Sequence, residues 1–390
     1  MQTKGRAAVR TAVLRGFDAV PTTIEARVDE GPGTGVQVEG EPVATALETA
    51  RRVERAVEAW GWDRRRLRAV VRTRPAVRTD TRLHDLPIAL AILAAAGELE
   101  ADAVEGLAVV GALDWGPAVE PIAGTLAVAE LCRKHGWPLV APAANRREAA
   151  APGGVRYLPA HELGQVFDAL RNGLAPEAAS PIEPAELERG RDLAQITGRE
   201  TAKRALEIAA AGGHPLLLAG PPAAPTTGLA LRLTGILPEM TRDERLAATK
   251  IHSIAGVLPP WAGVLAARPL SAPHFSASTA ALLGRMDRTA EGLSTERARP
   301  GAATLAHCGV LCLDDIDDFC ANDVEQLART AEMKRTDDRH GAMPADFLLV
   351  ATLTVPPDAQ SRNGGATGLD AELHARLDRL PVSRTLEMAS

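Results

Sequence analysis

Aromatic residues are scarce in this chain. Phe, Trp and Tyr together make up 3% of its 390 residues, so any core must be packed from Ala, Leu, Val and Ile rather than from large rings. Cysteine is also sparse: Cys132, Cys308, Cys312 and Cys320 form no C-x-x-C pair. That excludes a small disulfide scaffold and fits reduced, buried thiols in a cytoplasmic protein. Cys308 and Cys312 flank a strand-like run and have no matching second pair, so they do not complete a metal ligand set. No apolar run is long enough for a membrane span. The best candidate, LPIALAILAAAG (86–97), suits a buried helix. The N-terminal MQTKGRAAVR lacks the apolar stretch of a signal peptide. Basic excess is absent too. A net charge of −6 argues against a uniformly basic nucleic-acid coat and leaves local basic patches open.

What is present is length and alternation. A chain of 390 residues can hold two or three domains with their own cores. The segment NGLAPEAASPIEPAELERGR (172–191) has three prolines and little apolar content, and reads as a linker between domains at 1–171 and 192–390. In the first half, TTIEARVDE (22–30) and GVQVEG (35–40) alternate with period two and flank a Gly-Pro-Gly turn. Helical spacing follows over 43–62, a strand over 64–76, the buried helix over 84–97, a strand and turn over 106–115, a helix over 123–137 and a strand over 138–145. In the second half a helix is expected at 200–211, a buried strand at 215–219 and a helix at 228–237. Further buried strands are expected at 309–315 and 346–354. Strands alternating with helices imply a doubly wound parallel sheet covered on both faces.

The chemistry-bearing stretch is GPPAAPTTG (220–228), between the 215–219 strand and the following helix. That is the context of a phosphate-binding P-loop, written G-x-x-x-x-G-K-[ST]. Gly220 and Thr227 occupy its first and last positions, while Pro225 and Thr226 stand where the second Gly and the Lys belong. Pro225 has no N–H to offer a phosphate, and Thr226 carries no charge. Thr227 keeps a hydroxyl suited to magnesium. Downstream, GVLCLDDIDDF (309–319) is an apolar strand ending on Asp314 and Asp315. In a Walker B strand the first acid orients the magnesium shell and the second, normally Glu, polarises the attacking water. Asp315 is one methylene shorter than Glu, and misplacement of about 1 Å can cost on the order of a hundredfold in rate.

Both motifs sit inside longer signatures. DLAQITGRETAKRALEIAAAGGHPLLLAGPP (192–222), GILP (235–238), TKIHSIAG (249–256), RPLSAPHFSAS (268–278), RPGAATLAHCGVLCLDD (299–315), PADFLLVAT (344–352) and AELHARLDR (371–379) occur in order. They resemble the AAA+ module of the magnesium-chelatase-like ComM/YifB family. TAVLRGFDAVPTTIEARVDEGPGTGVQVEG, DLPIALAILAA and GALDWGPAVEPIAGTLAVA resemble that family's N-terminal domain, whose fold is similar to the Lon protease (S5-like) domain. The resemblance covers nearly the whole chain. It implies an α/β chain with a Lon-like N-terminal domain and a P-loop AAA+ core. It also implies ATP and Mg2+ as cofactors, a hexameric ring of like or unlike subunits, and DNA helicase or branch-migration work in recombination or transformation.

Carried over residue by residue, the resemblance makes Gly220, Pro221, Pro222, Pro225, Thr226 and Thr227 a vestigial nucleotide loop. Thr227 and Asp314 become the magnesium residues, Asp315 the catalytic acid and Thr354 the residue at the sensor Asn position. Arg376 falls on the Arg of the family's L-L-D-R-I-D segment, a finger reaching a neighbouring subunit's nucleotide. The family's Cys-rich segment is missing from 355–368, and the chain stops at Ser390, where the family continues into a helical lid. In the N-terminal half, Lon's nucleophilic Ser would fall near Asp85 and its Lys near Leu126, so a Ser–Lys protease is not expected.

Other features have plainer readings. The Arg-rich run 51–68, interleaved with Glu48, Glu54 and Glu58, reads as a solvated helix face or as a phosphate contact. His214, His252 and His274 show no ligand spacing, and Asp317 and Asp318 read as a solvated loop. The expectation is therefore a non-hydrolysing structural or regulatory member of a DNA-processing family, with no membrane association, beside an intact paralogue where one exists. The alternative is a weakly active ATPase.

Overall fold

The computed structural model describes residues 2–30, 35–40, 43–58, 67–75, 82–173, 175–178, 192–222, 224–259, 262–287, 297–337 and 341–354. The chain divides into two compact units. One comprises Met1–Pro184, His252–Val264 and Asp287–Arg297, and the other Ala185–Ile251, Leu265–Met286 and Ala298–Ser390. Of the proline-rich segment, Glu177–Ala178 pairs as an edge strand with Arg156–Tyr157, and residues 179–191 lie outside the described residues.

The first unit is built on an eight-stranded mixed sheet. Its order is Glu177–Ala178, Arg156–Ala160, Leu139–Pro142, Ala108–Val109, Gln2–Arg15, Asp18–Glu30, Leu67–Arg74 and Gly35–Glu39. The long strand Gln2–Arg15 pairs antiparallel with Asp18–Glu30. Sequence patterning does not mark it, because small alanines alternate with Val9, Val13 and Leu14 among Arg and Thr. The strands on either side of the Gly-Pro-Gly segment do not pair with each other. Leu67–Arg74 lies between them, antiparallel to one and parallel to the other. Period-two side-chain alternation puts Val9, Ile24, Ala26, Val28, Val36, Ala69 and Val71 on one face. That face packs against helices Val43–Glu58, Asp85–Ala95 and Leu163–Arg171. Every residue of Asp85–Ala95 is buried, which is why its sequence has no polar stripe. A second cluster, with Ala12, Ala108, Leu139 and Ala141, lies against helix Thr125–His135.

The second unit carries a four-stranded, all-parallel sheet in the order Leu216–Gly220, Leu348–Thr354, Val310–Leu313, Leu270–Ser271. Alternation sorts it into two cores. Leu216, Leu218, Val310, Cys312, Leu348 and Val350 face helix Glu200–Gly212. Leu217, Leu311, Leu313, Leu349 and Leu353 face the other way, toward Ala302–Leu305 and Ala321–Met333. Burial on both faces explains why these strands read as near-continuous apolar runs. The helix expected at 228–237 is much shorter. It spans Thr226–Ala230 and gives way to a 3-10 turn at Leu233–Gly235, although its Leu, Ala and Arg residues favour helix; Thr234 and Gly235 are the weak helix formers at the turn.

Candidate functional site

The site is assembled at the C-terminal ends of three adjacent parallel strands, where open α/β sheets place their ligands. Gly220 ends the first strand and is in register with Thr354, the last residue of its neighbour. A Cβ added to Gly220 would come within 2.8 Å of the Ala224 Cβ, so the loop folds back closely over its first residue. Pro225, at φ −80° and ψ 46°, precedes the helix Thr226–Ala230. Its carbonyl accepts the Leu229 N–H at 2.9 Å. The helix begins where a P-loop helix should, and the position before it offers no N–H.

The acids meet the loop. Thr227 Oγ1 donates to Asp314 Oδ1 at 2.5 Å, and Thr352 Oγ1 donates to the same oxygen at 2.7 Å. Thr354 Oγ1 donates to Asp315 Oδ1 at 2.6 Å. Asp315 itself sits in the left-handed region, at φ 50°, a conformation Asp tolerates better than most residues. Its N–H is held by Thr352 Oγ1 at 2.9 Å. The structure thus brings together Gly220, Thr227, Asp314, Asp315 and Thr354. It adds Thr352, which sequence reasoning missed. The available signal was one hydroxyl at an otherwise apolar position of the strand LLVATLT. Arg376 lies outside the described residues.

Tested against ATP and Mg2+, the residues divide. Thr227 and Asp314 are a donor pair of the kind a magnesium shell uses, a hydroxyl and a carboxylate in contact. Among the described residues, the loop lacks the lysine and the N–H at position 225 that a phosphate cradle uses. The cavity under the loop, lined by Gly220, Pro221, Ala224, Pro225 and Thr226, measures about 70 Å³, well below the hundreds of Å³ usual for a ligand pocket. Among the described residues that line it, Arg199 is the one cationic side chain.

In the first unit, Asp85 and Leu126, near which the resemblance would set a Ser–Lys dyad, sit in buried structural contacts. Asp85 is 1% exposed and takes a two-pronged contact from Arg52, Nε to Oδ2 at 2.9 Å and Nη2 to Oδ1 at 3.2 Å. The Leu113 N–H adds a third at 3.2 Å. Burial pushes the Asp85 carboxyl up, and Arg52 opposes that shift. Leu126 is fully buried, and its N–H donates to Glu148 Oε1 at 3.0 Å. Glu148 is pushed up by burial and is also held by Ser253 and Asn145. The Arg-rich helix is corrected on two counts. Arg52 is a buried partner of Asp85 rather than part of a solvated face or a phosphate contact, and Glu54 accepts the Val36 N–H at 2.6 Å.

Residues 192–375 match the family model for magnesium chelatase, subunit ChlI, and residues 24–145 match that for subunit ChlI of Mg-chelatase. The protein YifB of Escherichia coli strain K12 is 32% identical over 358 residues, covering 90% of this chain and 68% of YifB. Competence protein ComM of Haemophilus influenzae is 31% identical over 365 residues, covering 90% of this chain and 69% of ComM. A Mycobacterium tuberculosis protein is 33% identical over 356 residues, with 90% and 69% covered. Among solved structures, a complex of magnesium chelatase subunits BchI and BchD aligns at 18% identity and a TM-score of 0.34, covering 49% of this chain and 70% of that one. That superposition is too loose to define the fold.

Proposed function

Because the chain belongs to the magnesium-chelatase-like ComM/YifB family, we propose that it is a structural or regulatory member that does not hydrolyse ATP. The observation that carries this reading is the state of the acid pair. Asp314 Oδ1 already accepts two threonine hydroxyls, and Asp315 is engaged by a third. With Pro225 and Thr226 in the loop, no lysine stands ready to offset charge building on a transferring phosphoryl group. In this reading the fold is kept for assembly. The chain joins a ring of AAA+ subunits in a DNA-processing complex, with its first unit as a Lon-like domain without a protease dyad. Arg376 then serves a neighbouring subunit's nucleotide, an intact paralogue being the natural recipient.

The test is an ATPase assay on the purified chain, with and without DNA. No magnesium-dependent turnover above background is expected, and robust turnover overturns the reading. A second measurement locates the loss. In Pro225→Gly combined with Thr226→Lys, calorimetric ATP affinity should rise at least tenfold if the defect is confined to the loop. The retained Thr227–Asp314 contact favours a second reading, weak magnesium-nucleotide binding by an ATPase of low activity. Measurable binding to the unmodified chain would support it.

A further inference from the structure

The helix that follows the loop ends on an unusual donor. Apolar spacing and the helix-favouring Leu231, Arg232 and Leu233 continue past Ala230. The Leu231 N–H still donates to the Thr227 carbonyl at 3.0 Å, four residues back, as in any α-helix. At the next residue the pattern changes. The Arg232 N–H donates to the Leu229 carbonyl at 3.1 Å, three residues back, and the 3-10 turn Leu233–Gly235 follows. In a continuing α-helix the Arg232 N–H would take the Gly228 carbonyl. That carbonyl accepts instead from the Arg232 guanidinium, Nη1 donating at 2.8 Å. Basic side chains can satisfy the last carbonyls of a helix in this way.

The same guanidinium reaches a second segment. Nε donates to the Asp192 carbonyl at 3.0 Å, and Nη2 donates to Gln195 Oε1 at 3.1 Å. Asp192 is the first described residue after 179–191. Its Oδ1 accepts the Ala194 N–H at 2.9 Å and so caps the turn Leu193–Gln195. Leu193 is buried in the core that also takes Leu229, Ala230 and Leu233, and Ile196 packs against that core. A Cβ added to Gly228 would stand 3.6 Å from Arg232 Nη1 and 3.9 Å from Ile196 Cδ1, so turn, helix and guanidinium meet at this residue. The three acceptors are neutral, so geometry rather than charge pairing sets the contact. One planar cation spans acceptors from two segments. That task suits the fixed fork of Arg and is beyond the compact ammonium of Lys.

We propose that Arg232 is a positioning residue: it latches the chain entering the second unit onto the helix of the loop and holds that helix in its short form. The helix carries Thr227, whose hydroxyl meets Asp314. The latch therefore makes the turn at 193–195 a handle on the candidate site. Release of the turn and lengthening of the helix are one event, because the same guanidinium prevents both. The latch needs no nucleotide, so it stands or falls independently of whether the chain binds or hydrolyses ATP.

The experiment is hydrogen exchange of the full chain without nucleotide, read by mass spectrometry. Arg232→Ala should speed exchange at 193–196 by about tenfold, the scale of losing hydrogen bonds from a charged donor. It should slow exchange at 231–234, because the freed Gly228 carbonyl takes the backbone donor and the helix lengthens. Opposite signs in the two segments separate the latch from a general loss of stability, which speeds both. Arg232→Lys keeps the charge without the fork and should behave like Arg232→Ala. Gln195→Ala removes one contact of the turn and leaves the Gly228 contact, so it should speed 193–196 without slowing 231–234. As a control, Arg204→Ala, an exposed arginine of the same unit paired with Glu207 on its own helix, should change neither segment. The proposal is overturned if Arg232→Ala leaves 193–196 unchanged, if exchange at 231–234 fails to slow, or if Arg232→Lys keeps wild-type exchange in both segments.

Discussion

Thr352 holds both acids of the candidate site through one buried hydroxyl, accepting from the Asp315 N–H and donating to Asp314. Thr352→Val keeps the shape and removes both bonds. It should cost about 1–3 kcal/mol, the range for stranding buried polar groups, read as a lowered urea midpoint, while Thr352→Ser should recover most of the loss. His84 offers a pH test. It is fully buried with Nε2 3.1 Å from the Ala12 carbonyl, and burial lowers it to about 4. Between about 6.5 and 4 the unfolded chain binds a proton there that the folded chain does not. Stability from this group is therefore complete above the upper value and is lost as pH falls through the window, by up to about 3 kcal/mol. Burial raises the Asp85 and Glu148 carboxyls, which pull the other way, so the comparison must be with a variant. His84→Gln can keep a donor to Ala12 without titrating. Its unfolding free energy, measured by denaturant at several pH values, should fall less steeply over that window.

At the scale of elements, the parallel sheet depends on a close approach at Gly309. A Cβ there would lie 1.9 Å from the Pro269 carbonyl oxygen, the atom that accepts the Val310 N–H at 2.9 Å. Gly309→Ala must push the edge strand Leu270–Ser271 away from Val310–Leu313. Overpacking of that kind costs about 1–3 kcal/mol, seen as a lower Tm and faster amide exchange at Val310. The same scale shows why some elements were legible and others were not. The strands at 216–220, 310–313 and 348–354 are buried on both faces and declare themselves as apolar runs. Gln2–Arg15 buries Val9, Thr11, Ala12 and Val13, but Thr11 and the small Ala7 and Ala12 interrupt the apolar alternation that would mark a strand. The spacing predicts a longer helix after the loop because apolar positions continue past Ala230, whereas the backbone turns at Leu231–Ile236.

The whole molecule rests on separate cores, one set in each unit. Leu90 and Leu206, both fully buried, sit in different ones. Truncating either to Ala should cost about 2–5 kcal/mol. Hydrogen exchange should accelerate in the substituted unit: at 24–28 and 69–71 for Leu90→Ala, and at 216–220 and 310–313 for Leu206→Ala. Acceleration across both units from either substitution would mean that they unfold as one.

The sequence by itself determined the order of the signatures, the identity of each substituted residue in the loop and the alternation that makes the second unit a parallel α/β fold. These are local properties, set by residue type and spacing along the chain. It could not decide that Thr352 joins the two acids or that Arg52 is spent on Asp85. Those depend on strand register and on which strands become neighbours. Register is fixed by burial across the sheet, between residues tens of positions apart, and only the tertiary structure brings them together.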